Sequence, residues 1–231
     1  MYRFLTPAFF LKIEKFLVPI LLFATPSMFC IGIYYAFFNS PPDYQQGEMV
    51  RIMYIHVPSA WMSLGIYSFM SVCSFFAIIW RTRMSYILAI ASAPIGAVFA
   101  LITLVTGSIW GKPIWGAWWV WDARLTSMLV LFLLYISYIS IINSGSNILR
   151  AEKPASVMCL IGFINIPIVK FSVDIWYSLH QPASVIRLGG SAIHNSMMMP
   201  LMIMFVSFIM YFILATLMRV RVILAQLKQE V

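Results

Sequence analysis

Charge is what this chain has least of. Asp, Glu, Lys and Arg make up 10% of its 231 residues, and only seven of them are acidic. Nowhere is there a polar stretch long enough to fold by itself, so a separate soluble domain is excluded. Cysteine is almost as scarce. Cys30, Cys73 and Cys159 all lie inside apolar runs, and no Cys-x-x-Cys is present, which argues against a structural disulfide, a thiol redox centre or a zinc site. They read instead as small buried hydrophobes. There is no phosphate-binding glycine loop, no Ser-His-Asp arrangement and no pair of catalytic carboxylates. Hydrolysis of a nucleotide or an ester is therefore not expected, and the protein reads as a non-enzyme. No internal repeat or low-complexity tract stands out.

What remains is apolar. Hydrophobic residues account for 62% of the chain and mean hydropathy is +0.93, values that belong to an integral membrane protein. The net charge of +8 therefore speaks to membrane orientation rather than to nucleic acid. A helix needs about 20 apolar residues to cross a bilayer. The stretches free of charged residues, trimmed at their turn signals, place spans near 17–38, 58–80, 85–107, 124–143, 155–173 and 194–217. The expected fold is all-α, a single six-span membrane domain over 1–231. The fifth span is the weak one, because Pro154–Val169 is short and Lys170 must reach back to the interface. Arg3, Lys12 and Lys15 before the first run imitate a secretory signal. That run is too long and lacks a small-x-small cleavage site, so it reads as a retained first span.

Basic residues in the connections set the orientation. One side receives Arg3, Lys12, Lys15, Arg81, Arg83, Arg150, Lys153, Arg219, Arg221 and Lys228. The other receives Arg51, Lys112, Arg124, Lys170 and Arg187. Both termini are expected in the cytoplasm, or in the matrix if the membrane is mitochondrial. The outward segments are then 39–57, 108–123 and 174–193, and they hold all the unusual chemistry. His56 lies in the first, expected just outside the start of span two, with Pro58 in that helix's first turn. His180 lies in the third. Between them runs Trp110–Thr126, WGKPIWGAWWVWDARLT, which contains Trp110, Trp115, Trp118, Trp119 and Trp121.

An aromatic belt at the bilayer surface explains Trp61, Trp80 and Trp176. It does not explain five tryptophans so close together with glycines between them. Wide flat rings in that density suit a large planar ligand. A lone interfacial histidine usually does no more than hydrogen-bond the backbone. Two of them on separate outer segments, flanking such a platform, have what bis-imidazole ligation of a haem iron requires. Asp122 is placed to cap the fourth span. Arg124, Lys112, Arg51 and Arg187 are candidates to pair with ligand carboxylates such as haem propionates. His194, at the start of span six, reads as a packing or hydrogen-bonding residue.

The segment Trp110-Gly-Lys-Pro-Ile-Trp115-Gly-Ala-Trp-Trp119-Val-Trp121-Asp122-Ala-Arg124-Leu-Thr126 resembles the WWD signature of the haem-handling proteins of cytochrome c biogenesis. Across its six spans the chain resembles the CcmC family within that group. The resemblance implies an outward-facing WWD segment over 108–126, between spans three and four. It implies haem b held without a covalent bond at the outer, periplasmic face. His56 and His180 would be axial ligands, with Trp110, Trp115, Trp118, Trp119, Trp121 and Asp122 against the porphyrin and Arg124 toward a propionate. It also implies partners: an ABC-type transporter with its ATPase and membrane subunit, a small single-span protein, and a periplasmic haem chaperone that passes haem to apocytochrome c. The place would be the bacterial inner membrane, or less readily the mitochondrial one. Two other classes share the composition. A b-type electron-transfer subunit would carry its histidines deep within the spans. A small-solute permease would break its helices near the midplane, and Pro94, Gly96 and Pro167 hint at that only faintly.

Overall fold

A computed structural model describes residues 6–144, 151–180, 185, 190–191 and 193–229. These residues form helices joined by short links, with no strand among them. In order they are α1 (Pro7–Tyr34), α2 (Met53–Trp80), α3 (Arg83–Trp115), α4 (Ala123–Asn143), α5 (Glu152–Gly162), α6 (Asn165–Ile175) and α7 (Asn195–Gln229). A π-helical turn extends α1 to Asn39, and a 3₁₀ turn, Glu48–Ile52, leads into α2. With α5 and α6 taken together, six helical segments are long and apolar enough to cross a membrane. Helices are the form to expect here, because a lipid-exposed backbone must satisfy its own hydrogen bonds.

Helices α1, α2, α3 and α7 outrun the spans expected for them, and the reasons lie in packing. Helix α1 starts at Pro7, where the Thr6 side chain accepts from the Phe9 amide and Pro7 lacks the proton that would otherwise go unpaired. It then continues through Lys12, Glu14 and Lys15. Glu14 is buried, and Arg221 of α7 donates to its Oε1 at 3.3 Å. Helix α7 in turn runs past Arg219, whose Nε donates to the Ala91 carbonyl of α3 at 3.0 Å. Polar partners thus carry both terminal helices beyond their uncharged runs.

Helices α2 and α3 make the densest part of the bundle. On α3, Ala89, Ala93 and Ala97, and Ser92, Gly96 and Ala100, are spaced four apart, and all are buried. Small residues at this spacing let membrane helices approach closely. A Cβ on Gly96 would run into the Tyr135 ring, whose hydroxyl donates to the Ser63 carbonyl at 2.7 Å. Two residues, Arg81 and Thr82, turn the chain from α2 into α3; Arg81 adopts the left-handed conformation there, with φ 52°. Helix α1 packs chiefly on α7, and its far face is left to the membrane.

The weak fifth span is a broken one. Pro167 has no amide proton to give the Phe163 carbonyl, and the Ile166 amide takes that carbonyl instead, at 3.0 Å. The chain therefore restarts at Asn165, putting the proline in the first turn of α6. Asn165 is buried and donates to the Ser127 carbonyl of α4 at 2.9 Å, which fixes the break against its neighbour.

Candidate functional site

One end of the bundle collects the start of α2, the end of α3, the start of α4 and the chain that follows α6. Their side chains wall a cavity of about 230 Å³, lined among others by His56, His180, Trp110, Trp119 and Arg124. Residues more than a hundred positions apart in sequence thus face one space.

His56 does not stand outside its helix. It lies one turn inside α2, ahead of Pro58. The helix extends past the proline because Met53 and Tyr54 are buried there, and the Tyr54 hydroxyl donates to Ser40 Oγ at 2.8 Å. That packing outweighs the single backbone bond Pro58 forfeits. His56 Nδ1 lies 3.0 Å from Thr106 Oγ1. The Thr106 hydroxyl gives its own proton to the Ile102 carbonyl at 2.6 Å, so it can only accept from the imidazole. The ring proton is thereby on Nδ1 and the lone pair on Nε2. The ring lies over Gly107, where a Cβ would come within 2.9 Å of its Cε1, and meets Trp110 edge-on at 5.6 Å.

His180 follows the end of α6 and is fixed in the same sense. Its Nδ1 is 3.4 Å from Asp122 Oδ2, a carboxylate that only accepts, so Nε2 again holds the lone pair. Asp122 has three partners. It caps α4 by accepting from the Leu125 amide at 2.8 Å, it accepts a short hydrogen bond from the Ser178 hydroxyl, and it meets His180. Ser178 also accepts from the His180 backbone amide at 3.1 Å. Burial works to raise the Asp122 pKa, but the Leu125 amide, Ser178 and His180 outweigh it and hold the carboxyl below its ordinary value. For His180 burial dominates and lowers the pKa, against the pull of Asp122. Both groups therefore rest near neutral pH as an acceptor carboxylate and an uncharged imidazole. Trp115 packs against the His180 ring at 4.7 Å.

The tryptophans divide. Trp110 and Trp115 are on α3, which runs eight residues beyond the expected end of its span at 107 and closes at Gly116, φ 77°, whose amide bonds the Lys112 carbonyl at 3.0 Å. Trp118, Trp119 and Trp121 lie on the irregular link Gly116–Asp122. Trp110 and Trp119 line the cavity and Trp115 backs His180, whereas Trp118 (58% exposed) and Trp121 (75% exposed) face outward. The candidate cations divide as well. Arg124 lines the cavity and donates to Ser172 Oγ and the Lys170 carbonyl. Lys112 is occupied with the Gly116 carbonyl and the Trp118 face, and Arg51 with Glu48 and the Ser40 carbonyl. Arg187 lies outside the described residues. His194 bonds Ser196 at the start of α7 and is not among the cavity's lining residues.

Set beside known proteins, the chain matches the family model described as Heme exporter protein C over residues 1–231. It belongs to that family. A Heme exporter protein C of Bradyrhizobium diazoefficiens is 45% identical over 207 residues, covering 90% of this chain and 78% of the relative. That of Haemophilus influenzae is 41% identical, covering 89% and 83%. A ccmC-like mitochondrial protein of Marchantia polymorpha is 45% identical over 190 residues, covering 80% of each chain. The family resemblance of the tryptophan-rich segment thus extends to the whole chain.

Four residues of the site went unread in the sequence: Gln46, Thr106, Gly107 and Ser178. None belongs to a motif, and each acts through a neighbour. Gln46 is the most informative. Its Oε1 accepts from the Trp110 indole at 3.0 Å, and Trp110 flanks His56. Gln46 is itself placed by a tight turn in which Asp43 Oδ1 accepts the amides of Gln45 and Gln46, at 2.9 and 2.8 Å, with Gly47 at φ 55°. Gln46→Leu leaves the indole N–H unpaired and frees the ring. On the haem ligation that the resemblance implies for His56, haem titration of the purified variant is expected to show affinity reduced by up to about tenfold, the lower end of what outer partners of a metal ligand are worth. Unchanged affinity would reduce Gln46 to a loop contact.

Proposed function

We propose that this protein binds haem b at the outer face of the membrane, between His56 and His180, and presents it for cytochrome c maturation. The observation that carries the reading is the matched state of the two imidazoles. Each has its Nδ1–H committed to a fixed acceptor, and each is thereby left with an Nε2 lone pair at the same cavity. Ligating histidines are usually oriented in this way, by a carboxylate or another acceptor on the opposite nitrogen. Haem, when bound, would supply an iron that neutral imidazole nitrogens can ligate, and His56 and His180 would hold it.

The chain's residues then have distinct tasks. Trp110 and Trp119 offer ring surface to a flat apolar ligand. Arg124 faces the cavity with a planar guanidinium suited to a carboxylate. The cavity is smaller than the roughly 300–1,000 Å³ of ordinary small-molecule pockets. A ligand the size of haem exceeds the space that the described residues wall, and we read part of it as projecting. For a carrier this is an advantage, since the projecting part is open to a receiving protein, and exposed Trp118 and Trp121 stand beside it. Such a protein has no turnover chemistry of its own.

The excess of basic residues in the connections away from the site supports a cytoplasmic placement of that end and of both termini. The likeness to bacterial relatives favours the inner membrane, with the mitochondrial inner membrane as the counterpart suggested by Marchantia. The names of the relatives support haem export as the setting. An ATPase, a membrane subunit, a small single-span protein and a periplasmic haem chaperone complete it as proposed partners. The test is the spectrum of the purified chain with haem, which should be six-coordinate and low-spin.

A further inference from the structure

The cavity has a thin wall toward the membrane. Leu104, Ser108 and Trp119 line it from within, and the same three residues line a second space on the far side. That space is an apolar groove of about 470 Å³ along α3 and α4, completed by Val105, Ile109, Trp121 and Leu129. Val105 and Ile109 are each 49% exposed on membrane-spanning helices, so the groove faces lipid. One layer of side chains separates it from the two histidines.

Two parts of that layer are fixed, because Leu104 and Ser108 sit on α3. Trp119 is different. It belongs to the irregular link Gly116–Asp122, which no helical ladder holds. The link is tied to α3 by the Ser108 hydroxyl, which donates to the Trp118 carbonyl at 2.8 Å, and by Lys112, which donates to the Gly116 carbonyl at 3.0 Å and lies over the Trp118 ring. None of these contacts holds Trp119 itself. Trp119 rests edge-on against Trp121, an exposed ring, at 5.5 Å. Its indole N–H is buried and has no hydrogen-bond partner among the described residues. Buried donors are nearly always paired, and an exception calls for an explanation. Here the unpaired donor stands in the partition itself.

We propose that the α3–α4 groove is a lateral entrance by which haem passes from the bilayer into the cavity, with Trp119 as its movable wall. The inference rests on the haem reading above. Haem is a flat apolar ring carrying two carboxylates. Its faces match an apolar groove, and its carboxylates need donors once they leave the aqueous boundary. The free Trp119 N–H is such a donor at the partition, and Arg124 is the next one inside. The passage moves no covalent bond, only the Trp119 ring and the link that carries it.

Groove residues that do not line the cavity allow a clean test. Full-length Leu129→Trp and Ile109→Trp, each in vesicles, are given haem in two ways: dissolved in the bilayer, or delivered from an albumin complex in the water. Loading is followed by the Soret shift. Both variants should load from the bilayer at least about tenfold more slowly than wild type, load from albumin at the wild-type rate, and reach the wild-type final spectrum. The final spectrum also shows that the variant has folded, and either variant suffices if the other fails to reach it. Wild-type rates from the bilayer in a variant with a normal final spectrum would overturn the entrance and leave the haem site standing. A wild-type protein that takes up haem from neither source would instead overturn the haem reading on which the entrance depends.

Discussion

Replacing His56 or His180 with alanine should each abolish six-coordinate haem and convert what still binds to a five-coordinate, high-spin form. The expectation follows from the two tautomers. Thr106 and Asp122 leave the lone pairs on Nε2 of the two rings, at one cavity. His194 is occupied at the start of α7 and outside the cavity lining, so it is not placed to substitute. Removing a ligand should cost more than removing a partner that orients one, and such partners are worth roughly 10–100-fold in affinity. Affinity is therefore expected to fall by more than about 100-fold in either variant, and haem should be lost on gel filtration. The fold should survive both changes, since both rings line the cavity rather than fill the packed apolar core. Thermal melting in detergent provides the check. A variant that keeps the low-spin spectrum would remove its histidine from the ligand set.

The second large effect is at Asp122, and it separates two roles carried by one carboxylate. Asp122→Ala removes the cap of α4, a loss of roughly 0.5–2 kcal/mol in stability, and frees the His180 ring. Asp122→Asn keeps the cap, because asparagine accepts the Leu125 amide as well as aspartate does. It brings an amide NH₂ beside Ser178 and His180, however. A donor facing Nδ1 favours the other tautomer and takes the lone pair from Nε2. Haem affinity should thus fall about 10–100-fold in both variants, whereas the melting temperature should fall in the alanine variant alone. Ser178→Ala should lie between Asp122→Asn and wild type. Normal haem retention in Asp122→Asn would reduce the residue to a helix cap.

Much of this was legible in the sequence, for identifiable reasons. Six uncharged apolar runs can hardly be anything but spans, and the asymmetry of lysine and arginine separates their ends. The tryptophan density between Trp110 and Trp121 points to the cavity that the structure forms, and the two flanking histidines, which we propose as its ligands, both line it. What the sequence hid was every feature produced by a long-range partner. Charged residues suggested that the first and last helices end early, but Glu14 and Arg221 find each other 207 positions apart and both helices continue. Pro58 looked like a helix start, yet the burial of Met53 and Tyr54 moved the start upstream and took His56 with it. The five tryptophans read as one platform because spacing alone does not say which rings turn inward. A helix that persists to Trp115 and a link that does not hold helical form divide them into wall, backing and exposed surface. Gln46, Thr106, Gly107 and Ser178 carry no signal of their own, and only contact reveals them.

The most direct test of the central claim is electron paramagnetic resonance of the wild-type ferric protein, purified in detergent and loaded with one equivalent of haem. Two neutral imidazoles on one iron give a rhombic or highly anisotropic low-spin signal, with no high-spin signal near g = 6, and that is the result expected. A dominant high-spin signal, or haem that partitions into the micelle without saturating at one per chain, would contradict bis-histidine binding at this cavity.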